Sequence, residues 1–466
     1  MLFSILALLV STGTGWCLLH LCAGVQNLPW LLRAVLSCGI GLVANSILMF
    51  CCLMLGIADP VTVMILDACL FAGAIALWLR AQPAIEAKLA TATTTHRNGS
   101  DRAIALATSV AVAASAFASL LRYRAEPLGF WDGFAIWNLK AKFFYFAGGA
   151  HWERAFSDII TWSHNDYPFL LPAGVARLWN YAGGASTAAP AVFSLVFFLL
   201  SIALAYGALR QLAGERAAGL CALALLASPA FAGQAVWQVA DIPLAFYLLG
   251  AVCLLLLAKQ EGAATTTLTR LAGFFAGAGA LTKNEGLLFA LAIVVVLAAG
   301  ARKKNESSES SDWLAFAQGA AGPLFVLAIM KLGYAGESDL AADFGVHSLA
   351  RLLEVGRHTT IMASFGQTLL VLAGWPLLVV LAGVALWSRF AATTGTVAGL
   401  PIAAAILAIQ LLGYYGVYLV TERDLAWHLG TSNLRLFVQL WPSFLVLFFA
   451  QTAAQASAGV DASDGA

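Results

Sequence analysis

Apolar runs of bilayer-spanning length recur through this chain and leave little room for any other architecture. A helix needs about 20 such residues to cross the hydrocarbon core, and fewer where it packs inside a bundle. Runs of this kind fill 2–22, 29–56, 61–80, 103–122, 188–210, 217–232, 242–258, 268–282, 285–300, 314–333, 365–388, 397–420 and 434–452. They predict an all-α polytopic membrane protein with about 13 transmembrane helices, because only helices or closed barrels satisfy the backbone inside lipid. The run Pro168 to Tyr181 is too short and too interrupted to cross, and is expected as a re-entrant or interfacial helix. Only 11% of the 466 residues are charged, too few to clothe a soluble surface. The formal net charge of +1 gives no basis for a nucleic-acid partner.

Cysteine adds no constraint. Cys17, Cys22, Cys38, Cys51, Cys52, Cys69, Cys221 and Cys253 all lie within apolar runs, without metal-ligand spacing, and read as small hydrophobes. The first run has no basic segment ahead of it and reads as a retained helix rather than a cleaved signal.

Short basic loops set the orientation. Lys88, Arg97 and Arg102 lie in 81–102, Arg216 in 211–216, Lys259 in 259–267, and Arg302, Lys303 and Lys304 in 301–313. Thirteen crossings put these loops on one side, taken as cytoplasmic, with the N-terminus out and the C-terminus in. The other side receives 123–187, the turn near 233–241, Lys283–Asn284, 334–364 and 421–433. It also holds His151, His164, His347, His358 and His428 and many cations, among them Arg177, Lys283, Arg351, Arg357 and Arg435. Positive charge on an outer face fits either an anionic ligand or side chains that snorkel to lipid headgroups.

Five constellations on that side carry chemistry. In Gly129–Lys142 the aromatic residues Trp131, Phe134 and Trp137, followed by Phe143, Phe144 and Tyr145, suit a helix lying in the interface. Asp132 leads it, either as a helix cap or as a carboxylate held at the membrane surface; Asn138 belongs to the same stretch. In His164-Asn165-Asp166-Tyr167-Pro168, Asp166 either caps a proline-led helix or faces a ligand. Asp241 stands before Pro243 between two apolar runs, at membrane depth, where ionisable groups are costly and point to function; the alternative is a helix-start residue. Lys283 and Glu285 share a tight turn, either as a mutual pair or as a cation for an anionic headgroup. Arg435, with His428 upstream, stands ahead of the last span as an interfacial anchor or as a bidentate phosphate ligand. Asp67 lies inside an apolar run with no evident partner. Asp339, Asp343, His347, Arg351, Arg357 and His358 suggest an amphipathic helix with substrate contact in 334–364.

In order, these segments resemble the integral-membrane glycosyltransferases of the GT-C fold, in the protein-mannosyltransferase and aminoarabinose-transferase-like branch. The likeness rests on Asp132 in the first large outer loop, Tyr167-Pro168-Phe169-Leu170, Asp241-Ile242-Pro243-Leu244, Leu281-Thr282-Lys283 with Gly286, and Arg435 before Trp441-Pro442. It covers about 103–450. Residues 1–102 are then extra helices and a cytoplasmic loop, 103–453 the catalytic core, and 454–466 a disordered tail. Many members carry paired acids in the first loop, whereas Gly133 follows Asp132 here, which leaves a divalent metal (Mg or Mn) open.

The resemblance implies an inverting transfer of sugar from a polyprenyl-phosphate donor to a glycan, lipid or protein acceptor, at the periplasmic face of an inner membrane. Asp132 would be the general base. Lys283, Arg435 and His428 would hold the leaving phosphate. Asp166, Tyr167, His164, Asp241, Asn138 and Glu285 would bind substrate. A transporter or flippase of a lipid-linked sugar is the alternative, although no internal repeat of the kind transporters show is visible. A non-catalytic assembly subunit is the third reading.

Overall fold

The computed structural model describes residues 2–85, 99–146, 150–260, 264–304, 312–338, 348–390 and 397–463. Lys88, Arg97, Asp339, Asp343 and His347 lie outside the described residues. No strand occurs among those described. The helices are α1 Leu2–His20, α2 Trp30–Met54, α3 Pro60–Ile85, α4 Gly99–Ala125, α5 Asn138–Phe146, α6 Leu170–Ala182, α7 Ala188–Ala227, α8 Pro229–Gly233 and α9 Asp241–Ala258. They continue as α10 Thr265–Thr282, α11 Glu285–Lys304, α12 Asp312–Gly333, α13 Ser348–Arg351, α14 Val355–Ala373, α15 Trp375–Phe390, α16 Leu400–Val420 and α17 Leu425–Ser463. The protein is an all-α polytopic membrane protein.

Nine helices among the described residues are long and apolar enough to cross a membrane, or ten if the bent pair α14–α15 is one span. The expected thirteen runs all fall on helices, but several do not qualify alone, for identifiable reasons. Helix α7 is a hairpin broken at Gly214, whose backbone (φ 86°, ψ 176°) is not helical. Its outer ends lie beside one end of α4: Tyr123 bonds Thr187 at 3.0 Å, and Arg122 reaches the Gly233 carbonyl. Arg216, just past the break, instead donates to Asp101 at the other end of α4, about 40 Å away along 27 residues. The second arm is short and stops at Ala227, before the expected 232. Helix α10 is mostly buried within the protein, and the apolar part of α11, Glu285–Ala301, is short, with Leu287, Leu291 and Val295 exposed.

The run expected over 365–388 begins ten residues earlier, and α14 and α15 are bent by 95° across Gly374 (φ 72°). The last helix starts at Leu425 rather than near 434, because Asp424 accepts the Trp427 amide at 2.7 Å and caps it. It runs on through Ser463, over residues expected as a tail. Helix α6 has every residue from Leu170 to Asn180 buried, so it enters the protein interior instead of lying in the interface. All eight cysteines are free, and Cys69 is exposed.

Small residues let the helices approach closely, as membrane bundles require. A Cβ on Gly41 would stand 1.7 Å from the Ser11 carbonyl oxygen, which brings α1 against α2. Gly319 meets the Arg270 carbonyl at 1.8 Å in the same way, joining α12 to α10. The three N-terminal helices are pinned to α6 by a buried ion pair, Arg177 Nε to Asp67 Oδ2 at 2.5 Å. Asn45 donates to the other Asp67 oxygen at 2.6 Å, and Arg177 also donates to Ser11 Oγ at 2.9 Å and the Ala7 carbonyl at 3.1 Å. Arg177 thus serves the interior and does not face a ligand on the outer side.

Candidate active site

The charged residues flagged at the ends of apolar runs meet at one end of the bundle. Asp132 reaches that point because its loop lies flat on the turn before α9. A Cβ at Gly133 would stand 2.5 Å from the Trp237 carbonyl oxygen, so only glycine allows the contact; Gly129 (φ 73°) has the same constraint. Phe130 N donates to that carbonyl at 3.1 Å, and the Phe130 and Trp237 rings stack at 4.6 Å. Asn138 Nδ2 donates to Gln238 Oε1 at 2.7 Å, and Gln238 Nε2 to the Pro127 carbonyl at 3.0 Å. Asn138 is therefore a tie between two loops. Residues Gly133–Trp137 form one π-helical turn, a distortion that often marks functional sites. The Asp132 side chain makes no cap hydrogen bond.

Its carboxylate instead accepts from Arg435 Nη1. The same guanidinium donates through Nε to Asp241 Oδ2 at 2.7 Å. Asp241 Oδ1 accepts from Lys283 Nζ at 3.0 Å and from Gln439 Nε2 at 2.7 Å. Lys283 also pairs with Glu285 Oε1 at 2.7 Å. Tyr414 donates to Gln439 Oε1 at 2.8 Å and holds that amide in place. Arg435 lies well inside α17, nearly three turns past its start, and the sequence reading had it near the first turn.

Lys283 reaches Asp241 because α10 stops abruptly. Lys283 is extended (φ −159°), and a Cβ at Gly286 would stand 2.2 Å from the Gly279 carbonyl carbon. Burial works against the Lys283 ammonium, but the Asp241 and Glu285 carboxylates outweigh it and raise its pKa above the ordinary lysine value.

A second cluster flanks the first. Asp166 Oδ2 accepts from Asn284 Nδ2 at 2.7 Å and from Lys331 Nζ at 3.3 Å. Lys331 also donates to the Asp166 carbonyl and, at 2.9 Å, to Asn284 Oδ1. Tyr167 stands between the clusters: Lys283 Nζ lies 5.9 Å from its ring centroid, and its ring stacks with Trp137 at 5.4 Å and His164 at 4.5 Å. Lys140 donates to the His164 carbonyl at 2.6 Å.

The aromatic belt expected in this loop is split. Trp137 and Phe144 are buried, while Trp131, Phe134 and Phe146 stay exposed. His428 Nδ1 sits 3.1 Å from Thr421 Oγ1, and its ring packs on Tyr418. Arg351 and Arg357 cap the C-terminal carbonyls of α16, on Thr421 at 2.6 Å and Tyr418 at 2.9 Å. His358 meets the Tyr415 hydroxyl at 2.5 Å. Gln439, Asn284 and Lys331 belong to these clusters although the sequence alone does not single them out. Their signal was a polar or ionic residue within or beside an apolar run.

A divalent metal would need several carboxylate or imidazole ligands turned to one point. No group of three or more His, Cys, Asp or Glu able to hold one occurs among the described residues. The Asp132, Asp241 and Glu285 carboxylates are matched by Arg435 and Lys283 instead.

Residues 168–325, about a third of the chain, match the family model of dolichyl-phosphate-mannose-protein mannosyltransferases. That family is one of membrane glycosyltransferases of the GT-C fold, and this part of the chain is similar to it. The matched part runs from Pro168 into α12 and includes Asp241, Lys283 and Glu285, whereas Asp132, Lys331 and Arg435 lie outside it. Neither the curated proteins nor the solved structures compared with the chain give a match.

Proposed function

We propose that this protein is a glycosyltransferase that moves a sugar, with inversion, from a polyprenyl-phosphate donor to an acceptor hydroxyl on a glycan, lipid or protein. The observation that carries the reading is Arg435, a single guanidinium bridging the Asp132 and Asp241 carboxylates beside Lys283. A lipid-borne phosphate requires fixed cations at the bundle end, and Arg435 with Lys283 supplies them. When the phosphate takes up the Nη1 edge of Arg435, Asp132 loses its cation and becomes a stronger base. The acceptor hydroxyl then attacks the anomeric carbon, the carbon–oxygen bond to phosphate breaks, and Asp132 takes the hydroxyl proton. Polyprenyl phosphate leaves with the bonding electrons, its charge held by Arg435 and Lys283. Asp241 anchors both cations, and Asp166 with Tyr167 orients the sugar or acceptor.

The site is assigned to the periplasmic side of an inner membrane. Support comes from Arg216 and Lys259, which lie at the opposite end of the bundle, in line with the bias of basic loops toward the cytoplasm. Protein reconstituted in lipid with radiolabelled polyprenyl-phosphate sugars tests the activity. Label appearing in an acceptor supports transfer. Label that crosses the vesicle membrane still attached to its lipid would instead identify a flippase.

A further inference from the structure

Helical backbone runs without a break from Trp131 through the π-helical turn to Phe146, with Asp132 near its start. The two faces of this rod differ. Asn138, Lys140, Ala141 and Phe144 turn inward and are buried. Leu139, Lys142, Phe143 and Phe146 have the spacing of one helical face and turn outward. Phe146 is 70% exposed.

The next turn of chain lies against that outward face. His151 has a left-handed backbone (φ 61°), and Phe144 holds the residues after it through ring contacts with Trp152 at 6.0 Å and Phe156 at 6.1 Å. Ala150, His151 and Arg154 thus form a second wall, and the two walls flank an open hollow of about 470 Å³. Ligand sites commonly measure about 300–1,000 Å³.

Leu139, Phe143 and Phe146 make the apolar part of the hollow, Lys142 stands on one wall, and His151 and Arg154 stand on the other. Glu153 answers His151 at 3.7 Å, through side chains at least half exposed. Lys142 and Arg154 are exposed and have no ion pair among the described residues. Cations that only snorkel to headgroups need no hollow between them. Two cations from separate elements that share an apolar hollow match a molecule with an anionic head and a hydrocarbon tail, which in a bilayer is an acidic phospholipid.

We infer that this hollow binds an acidic phospholipid, with its headgroup between Lys142 and Arg154 and an acyl chain on Leu139, Phe143 and Phe146, and that the bound lipid braces the rod that carries Asp132. Lys142 lies about 15 Å along that rod from Asp132. None of the lining residues belongs to the Asp132–Arg435–Asp241 cluster, so the inference stands whichever reaction the protein performs.

The test titrates the protein in zwitterionic detergent with phosphatidylglycerol or phosphatidylcholine, reading bound lipid by native mass spectrometry and backbone order by hydrogen exchange. Wild type binds phosphatidylglycerol about tenfold more tightly, and Lys142→Gln/Arg154→Gln removes most of that preference. Ala150→Trp fills the hollow with every cation kept, and weakens phosphatidylglycerol binding about tenfold. Arg124→Gln removes an exposed cation outside the hollow and changes the affinity by less than about twofold. Exchange over 131–146 slows with phosphatidylglycerol in wild type and not in Ala150→Trp. Equal binding of the two lipids by wild type overturns the site. A loss in Arg124→Gln as large as in the double variant overturns it too, in favour of a diffuse cationic surface. Displacement of the lipid by glycerol phosphate, which has the head without the chains, overturns it in favour of a free-phosphate site. Selective binding with unchanged exchange over 131–146 overturns the brace.

Discussion

Gly133→Ala adds one methyl group that faces the Trp237 turn and not the charged cluster, yet it should disable transfer. The added Cβ would stand 2.5 Å from the Trp237 carbonyl oxygen and 3.3 Å from Gln238 Cβ, where ordinary contact begins at 3.4 Å. Backbone carbonyls cannot rotate aside as a flexible side chain can, so the loop must withdraw by about 0.9 Å from the turn before α9. Asp132 precedes Gly133 and moves with it, while Asp241 stays at the start of α9. A displacement of about 1 Å at a reacting group costs roughly 10²-fold in rate. Overpacking of this kind also costs about 1–3 kcal/mol of stability. The assay is sugar transfer by protein in nanodiscs, with donor binding and a thermal melt measured on the same sample. The expected result is transfer reduced about 10²-fold, donor binding retained, and a folded protein. Transfer at the wild-type rate in a folded Gly133→Ala protein would refute the idea that the Trp237 turn positions Asp132.

Other substitutions separate the site from its scaffold. Arg177→Met strands the buried Asp67 carboxylate and should cost about 3–5 kcal/mol, seen as a lower melting temperature, whereas Arg177→Met with Asp67→Leu recovers most of it. Gly286→Ala drives a methyl into the Gly279 carbonyl, 2.2 Å from its carbon; it should withdraw Lys283 and weaken binding of polyprenyl phosphate, measured in nanodiscs. His428→Ala should leave transfer within about threefold of wild type, because His428 meets Thr421 and packs on Tyr418; a loss on the scale of about 10²-fold, that of a removed charge-stabilising donor, would return it to the site.

The sequence made the membrane class plain, since apolar runs leave no other way to satisfy the backbone. It also exposed Asp132, Asp241, Lys283 and Arg435, which stand at or near the ends of those runs and so announce themselves as costly charges. Their arrangement was hidden: Arg435 bonds Asp132 from 303 residues away, and no local pattern encodes that contact. Asp67 was visible as a charge inside a span, but its partner Arg177 lies 110 residues on, in a helix too short to read as a crossing. Lys331 and Gln439 sat within runs assigned as spans, where a single polar residue is easily absorbed into an apolar average. Boundaries failed where one residue decides them, as with the break at Gly214, the bend at Gly374 and the cap at Asp424. His428 was grouped with Arg435 by sequence proximity, yet the two lie about two turns apart on α17.

The most direct test of the central claim compares wild type with Asp132→Asn in lipid, reading polyprenyl-phosphate-sugar binding and sugar transfer on the same preparations. The account predicts that binding survives while transfer falls by about 10²–10⁴-fold, the range for loss of a positioned general base. Equal transfer by the two proteins would contradict it and remove Asp132 from the chemistry.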